Sequence, residues 1–271
     1  MKNKILLAAS VLLLSTACST NPITGKKEFN IVSNEQLFPA AFAEYNTFLS
    51  QNKVITGTAQ SQMVERVGVK IRQAAEKYYA SKGLSNLLEG YKWEYKLVDD
   101  KAINAWCMPG GKIVVYNGIL PVTKDEAGLA TVMGHEVAHA LANHGAQRMS
   151  ASQAQAIGAA GLALATSGQS AERQEMFQQY YGIGSQVGVM LPFSRSHESE
   201  ADQIGLTLMA IAGYNPDNAI TFWQRMSAQS GGGSTPEILS THPSDATRIA
   251  NIKKLAPQAK SEASKLGVKF N

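Results

Sequence analysis

The 271-residue sequence predicts an α+β chain, mainly α-helical, with a small antiparallel sheet. Two observations carry that reading. Apolar side chains recur every three or four residues through most segments after Ser33, the period of a helix with one buried face. Between Tyr91 and Tyr116, by contrast, large and polar side chains alternate around a Pro-Gly-Gly turn, as in paired strands.

Composition narrows the class further. Hydrophobic residues make up 44% and charged residues 17% of the chain, which is globular usage with an ample core and no disordered bias. The net charge of +4 comes without any dense Lys/Arg run, which excludes nucleic acid as a partner.

The elements follow in order. Lys2 and Lys4 precede the apolar run "ILLAASVLLLSTA", which is too short to span a bilayer and reads as a signal peptide over 1–17. Ser15, Thr16 and Ala17 before Cys18 resemble a bacterial lipoprotein processing site, although Ser15 stands where Leu is usual. The other reading is ordinary cleavage beside a chance cysteine. With a lipid on Cys18, Cys107 has no partner for an intramolecular disulfide. Ser19 after the cysteine then sorts the protein to the outer membrane, as a lipoprotein of a Gram-negative cell envelope facing the periplasm. Membrane contact is expected through this lipid alone.

Residues 18–33 form a tether. Ser33 and Gln36 make a capping box for a helix to about Leu49. Met63, Val67, Ile71, Ala75 and Tyr78 set a second helix from Thr58 to Tyr79, closed by Gly83. "YKWEYKLV" and "KIVVY" (Lys112 to Tyr116) are strands of the small sheet. Thr123 with Glu126 is a further capping box opening the helix that carries three histidines. "ASQAQAIGAAGLALATSG" (Ala151 to Gly168) lacks bulky anchors for a membrane surface and reads as a tightly packed internal helix. A helix from His197 to Ala212 stops at Gly213. Asn215 caps the next, with Pro216 at its first position. Ser230 to Thr235 is a flexible loop, and a last helix after "THPSD" carries Arg248, Ile249, Ile252 and Leu255. The main domain spans 34–257, with a tail over 258–271.

"GHEVAHALANH" holds the chemistry. Positions i and i+4 of a helix differ by about 40° in azimuth, so His135 and His139 present two imidazoles to one ion. Glu136 lies about 100° round, placed to reach a water on that ion without binding it. At this chain's own His and Glu frequencies the pattern arises in about one random sequence in two hundred. The bland alternative is two partly buried core histidines. His144 comes five residues after His139, and Ala142 stands where a helix-breaking Gly would be needed, so it is not read as a ligand. It is expected near the helix end, complementing the last carbonyls.

A hydrolytic zinc takes three protein ligands and keeps one position open. "SRSHESEADQIG" (Ser194 to Gly205) concentrates the downstream carboxylates. Glu198 and Asp202 share a helical face, so one can bind metal while the other orients a histidine through its second nitrogen. Glu200 points elsewhere, and spacing leaves Glu198 and Glu200 both open as the ligand.

"HEVAH" followed by "ESEAD" resembles the zinc metallopeptidases of family 48, which include the CAAX prenyl proteases, the HtpX heat-shock proteases and many bacterial lipoproteins. The likeness extends through "NAWCMPGGKIVVYNGIL" and "THPSDATRIA", and it is closest to the soluble lipoprotein members. It implies a zincin-like fold, one Zn2+ per chain, and a metalloendopeptidase. It also implies Glu198 as third ligand, Asp202 as its support, and His242 and Arg248 as active-site neighbours. Chemically, Arg248 can bind a substrate carbonyl or a developing oxyanion, and His242 can do the same or fill the open metal position. The plainer reading gives Thr241 a capping role, His242-Pro243 a turn and Arg248 a surface ion pair. His197 and Cys107 receive no role.

The expected reaction is peptide hydrolysis with Glu136 as general base, on unfolded or misassembled envelope proteins that pair as extended strands with the edge "KIVVY". Two rivals remain: a zinc amide hydrolase of cell-wall peptides, and a non-catalytic outer-membrane assembly or chaperone lipoprotein.

Overall fold

The computed structural model describes residues 18–21, 24–29, 32–186, 190–229, 236–242 and 246–270. Residues 1–17, read as a signal peptide, Ser230 to Thr235, read as a flexible loop, and Pro243, read as part of a turn, lie outside the described residues. The strands are β1 (Cys18–Thr20), β2 (Lys27–Phe29), β3 (Val54–Ile55), β4 (Glu94–Val98), β5 (Ala105–Met108) and β6 (Lys112–Tyr116). The helices are α1 (Asn34–Gln51), α2 (Ala59–Ser81), α3 (Leu120–Thr123), α4 (Glu126–Leu141), α5 (His144–Ala165), α6 (Ala171–Ser185), α7 (Leu191–Ile211), α8 (Asn218–Gln229), α9 (Glu237–Thr241) and α10 (Ala246–Lys265). Two units emerge from the packing, Asn34–Ala142 with Ser199–Asn271, and Met1–Ser33 with Asn143–Glu198.

The first unit is built on a sheet of strand order β3-β4-β6-β5. Its central pair, β4 and β6, is parallel, and the two outer pairs are antiparallel. The sheet is therefore mixed, not the antiparallel one expected. The Pro109–Gly111 turn folds β6 back between β4 and β5, and alternation of side chains tells which face a residue takes but not which strand lies beside it. The same order makes "KIVVY" central, so the edge strand next to it is β5.

Each face of the sheet is covered. Tyr45 of α1 packs with Val98, Val114 and Tyr116, and Phe48 and Trp106 close over them. The alternate residues Leu97, Ile113 and Val115 are fully buried on the other face, where α2 and α4 touch β4 and β5. Thr58 caps α2, accepting from Ser61 N while the Ser61 hydroxyl accepts from Thr58 N, and Val64, Val67, Ile71 and Tyr78 form its buried stripe. The stop comes at Gly83, whose φ of +72° suits glycine.

The histidine helix α4 is buried on all sides from Gly128 to Leu141. Its cap is Asp125, whose Oδ1 accepts from Gly128 N at 2.8 Å. Thr123, expected in that role, instead ends α3, because Lys124 at φ 68° turns the chain first. Trp223 and Phe222 of α8 pack on α4, and α10 packs on α8. Ala256, Ala259 and Ala263 are buried along α10, so the helix runs past 257 into the expected tail.

In the second unit β1 and β2 pair as an antiparallel ribbon, Cys18 opposite Phe29, in the stretch read as a tether. Buried Asn21 donates from Nδ2 to Glu28 Oε1 at 2.8 Å. Helices α5 and α6 lie together: Tyr181 donates to the Gln155 carbonyl at 3.1 Å and Gln178 to that of Ala159 at 3.0 Å. The expectation of a tightly packed internal helix over Ala151 to Gly168 is corrected here, since Ile157 and Leu164 are 70% and 78% exposed. Small residues allow close approach of one neighbour, as at Gly158 under the Tyr181 hydroxyl, but do not bury a helix all round. Among the described residues no helix is long and apolar enough to cross a membrane.

Candidate metal centre

The centre begins where α4 and α7 cross. Gly134 and Gly205 face each other, and the missing side chains let the two backbones meet. Asp202, one turn before Gly205, thereby comes beside His135, the residue after Gly134. Its Oδ1 stands 3.0 Å from His135 Nδ1. That contact makes Nδ1 the protonated nitrogen and leaves the Nε2 lone pair free to accept.

His135 Nε2 lies 3.1 Å from His139 Nε2 and 3.2 Å from His242 Nδ1. One lone pair accepts one proton, yet two ring nitrogens converge on it. A shared cation satisfies all three. Metal–nitrogen bonds of about 2.1 Å at tetrahedral angles separate ligand atoms by about 3.4 Å, close to the spacing found. Ligand atoms of His135, His139 and His242 fall within 4.8 Å of one another, and helix α7 carries Glu198 one turn before Asp202, the residue that meets His135. Glu200 is buried but outside that group. Two or three imidazoles with one carboxylate are a zinc donor set.

Glu136 is 4% exposed, and its Oε1 has no hydrogen-bond partner. His242 Nε2 stands 3.6 Å from that oxygen, too far for a hydrogen bond. A buried carboxylate oxygen without a partner calls for an explanation, and a catalytic role is one.

Arg248 is not at the surface. Its Nη2 and Nε donate to both Asp202 oxygens, at 2.7 and 2.9 Å, and its guanidinium lies 3.5 Å over the Trp223 ring. Burial would raise the Asp202 carboxyl, but Arg248 and His135 together hold it below the usual carboxylate range. Arg248 thus fixes the group that fixes His135. Trp223 and Gly205 had no signal in the sequence beyond falling on amphipathic helices.

His144 does not lie at the end of the histidine helix. Asn143, left-handed at φ 52°, ends that helix and starts α5 at once, with His144 as its first residue and fully buried. Cys107 has a free thiol, which burial and then Glu136 push well above its ordinary value, so it stays protonated.

With this geometry in place, the sequence pattern of peptidase family M48 matches residues 65–256. The chain belongs to peptidase family M48. The family's metal is zinc, and the donor set fits it. Mitochondrial metalloendopeptidase OMA1 of Schizosaccharomyces pombe is 35% identical over 88% of this chain and 66% of its own length. The human Metalloendopeptidase OMA1, mitochondrial, is 29% identical over 92% and 48%. The Beta-barrel assembly-enhancing protease of Escherichia coli is 31% identical over 61% and 35%. The chain spans from about a third to two thirds of the length of these family M48 relatives.

The expected address is corrected by these likenesses. The relatives with the broadest match are mitochondrial proteins of eukaryotes, which overturns the reading as a periplasm-facing outer-membrane lipoprotein. A basic start and an apolar run report charge and hydropathy, and those properties alone do not name a membrane.

Proposed function

We propose that the chain is a zinc endopeptidase acting on unfolded or misassembled polypeptides bound as extended strands. The observation that carries it is the buried, unpartnered Glu136 oxygen beside converging imidazoles. His135, His139 and Glu198 would hold the metal, which supplies a Lewis acid and brings the pKa of a water toward about 7. Glu136 takes the proton of the attacking water and hands it to the leaving amine. Asp202 and Arg248 keep the His135 ring in its ligating tautomer. His242 closes the group on the substrate side and must yield to, or hydrogen-bond, the scissile carbonyl.

Strand β5 supports the extended-strand part. It pairs with β6 on one side, and no strand lies on the other among the described residues. Tyr116 N donates to the Asn104 carbonyl, so in antiparallel alternation the main-chain groups of Ala105 and Cys107 point away from β6. Such pairing is sequence-tolerant and suits unfolded chains.

The test is hydrolysis of an unfolded casein-like chain by purified protein. Glu136→Gln is expected to lower kcat by about 10²–10⁴ while zinc content stays at one per chain. Cleavage insensitive to both chelator and Glu136→Gln sinks the proposal, and turnover of peptidoglycan fragments in place of polypeptides replaces it. A lipid on Cys18 belongs to the proposal too, and the mass of the mature N-terminal peptide tests it.

A further inference from the structure

Two histidines stand outside the metal group, and both are buried. His144 is the first residue of α5, and His197 lies on α7 immediately before Glu198. Their rings stack face to face, centroids 4.0 Å apart and planes 14° apart. His197 donates from Nε2 to Gln147 Oε1 at 3.2 Å, and Gln147, one turn along α5 from His144, is buried as well. Neither ring is accounted for by the hydrolytic reading.

We infer that the stacked His144–His197 pair, clamped by Gln147, is the positioning element for the Glu198 carboxylate. This rests on Glu198 being the third zinc ligand. Neighbouring helix residues differ by about 100° in azimuth, so fixing the ring of residue 197 fixes the direction in which residue 198 points. Elsewhere in that turn an exposed hydrogen bond runs from Lys26 Nζ to the Ser196 carbonyl, at 3.0 Å. Arg195 and Ser196 are exposed, and Ser194 and Glu198 are half-buried, which leaves His197 as the buried side chain of residues 194–198. A ligating carboxylate must be held within about 0.5 Å and 10–20°. The buried stack and its hydrogen bond to Gln147 supply that hold on α7 beside Glu198.

The experiment compares zinc dissociation constants, by competition with a chromogenic chelator, and the visible spectrum of the cobalt-substituted protein. His144→Leu keeps the volume and removes the flat ring, and is expected to weaken zinc about tenfold or more and to alter the cobalt bands. His144→Phe keeps a ring to stack and is expected to retain both. His197→Gln, which keeps a donor for Gln147 but no ring, repeats the test if His144→Leu does not fold. In a double variant with Glu198→Ala, His144→Leu should add no further loss, since it acts through Glu198. A lowered melting temperature with unchanged zinc affinity and cobalt spectrum overturns the inference, as does a fully additive double variant. If Glu198→Ala itself leaves zinc affinity unchanged, it is the ligand assignment that fails instead.

Discussion

Gly134 and Gly205 touch backbone to backbone: a Cβ on Gly134 would stand 2.9 Å from the Gly205 carbonyl oxygen, and one on Gly205 2.9 Å from His135 N. No real Cβ contact is that short, so neither position accepts a side chain without moving a helix. The distance between α4 and α7 at this crossing is what lets the short Asp202 side chain reach His135.

Gly205→Ala is therefore expected to destabilise the fold by about 1–3 kcal/mol, against the usual gain of Gly→Ala in a helix. Zinc affinity should fall with it. Gly161→Ala, on α5 with open space around it, is the matched control and should be neutral or stabilising by up to about 1 kcal/mol. Urea unfolding of the zinc-free proteins reads both, and equal stability of the two variants refutes the crossing argument.

Removing Arg248 should hurt more through the charge it abandons than through the contact it loses. Arg248→Met leaves Asp202 buried and without its bidentate partner, which is expected to cost about 3–5 kcal/mol. Adding Asp202→Asn should recover part of that stability while leaving zinc binding weakened by about 10–100-fold, because His135 then lacks its carboxylate. Calorimetric unfolding with and without zinc separates the two effects.

Strand pairing on β5 predicts a parity effect in substrates. Peptides N-methylated at alternate residues should lose about fivefold in KM, the worth of one main-chain hydrogen bond, while methylation of the residues between should not matter. An equal effect at every position argues against an extended, strand-paired substrate.

Glu126 gives the pH prediction. Burial raises its carboxyl, but the Tyr214 hydroxyl at 2.9 Å, Arg66 and Lys70 outweigh burial and hold it below its ordinary value. A carboxylate depressed in the fold contributes stability above its unfolded pKa of about 4.3 and loses it as pH falls through the folded value. Glu126→Gln should lower the melting temperature at pH 6 and flatten its fall between about pH 4 and 2, by less than about 1 kcal/mol for so exposed a pair. Identical acid limbs would refute it.

Helix periods, caps and the H-E-x-x-H spacing made most of the fold, and the placing of Glu136 beside the His135–His139 pair, legible before any coordinates. They are local: a side chain three or four residues away settles them. Where the local signal had two solutions, as between Thr123 and Asp125, the positive φ of Lys124 chose. Residues 1–17 show why the address needed correction, since hydropathy describes a segment and not its destination.

By itself, the sequence determined a mainly helical chain whose helix presents His135 and His139 together, with Glu136 beside them, because i and i+4 spacing fixes azimuth without reference to the rest of the molecule. Only the tertiary structure decided that Arg248 holds Asp202 from inside and that His242 reaches the metal group. It also decided that β5, not "KIVVY", is the sheet edge, and that two glycines set the helix spacing. Those are contacts between residues as many as 107 positions apart, and their register is set by packing, which no local period records.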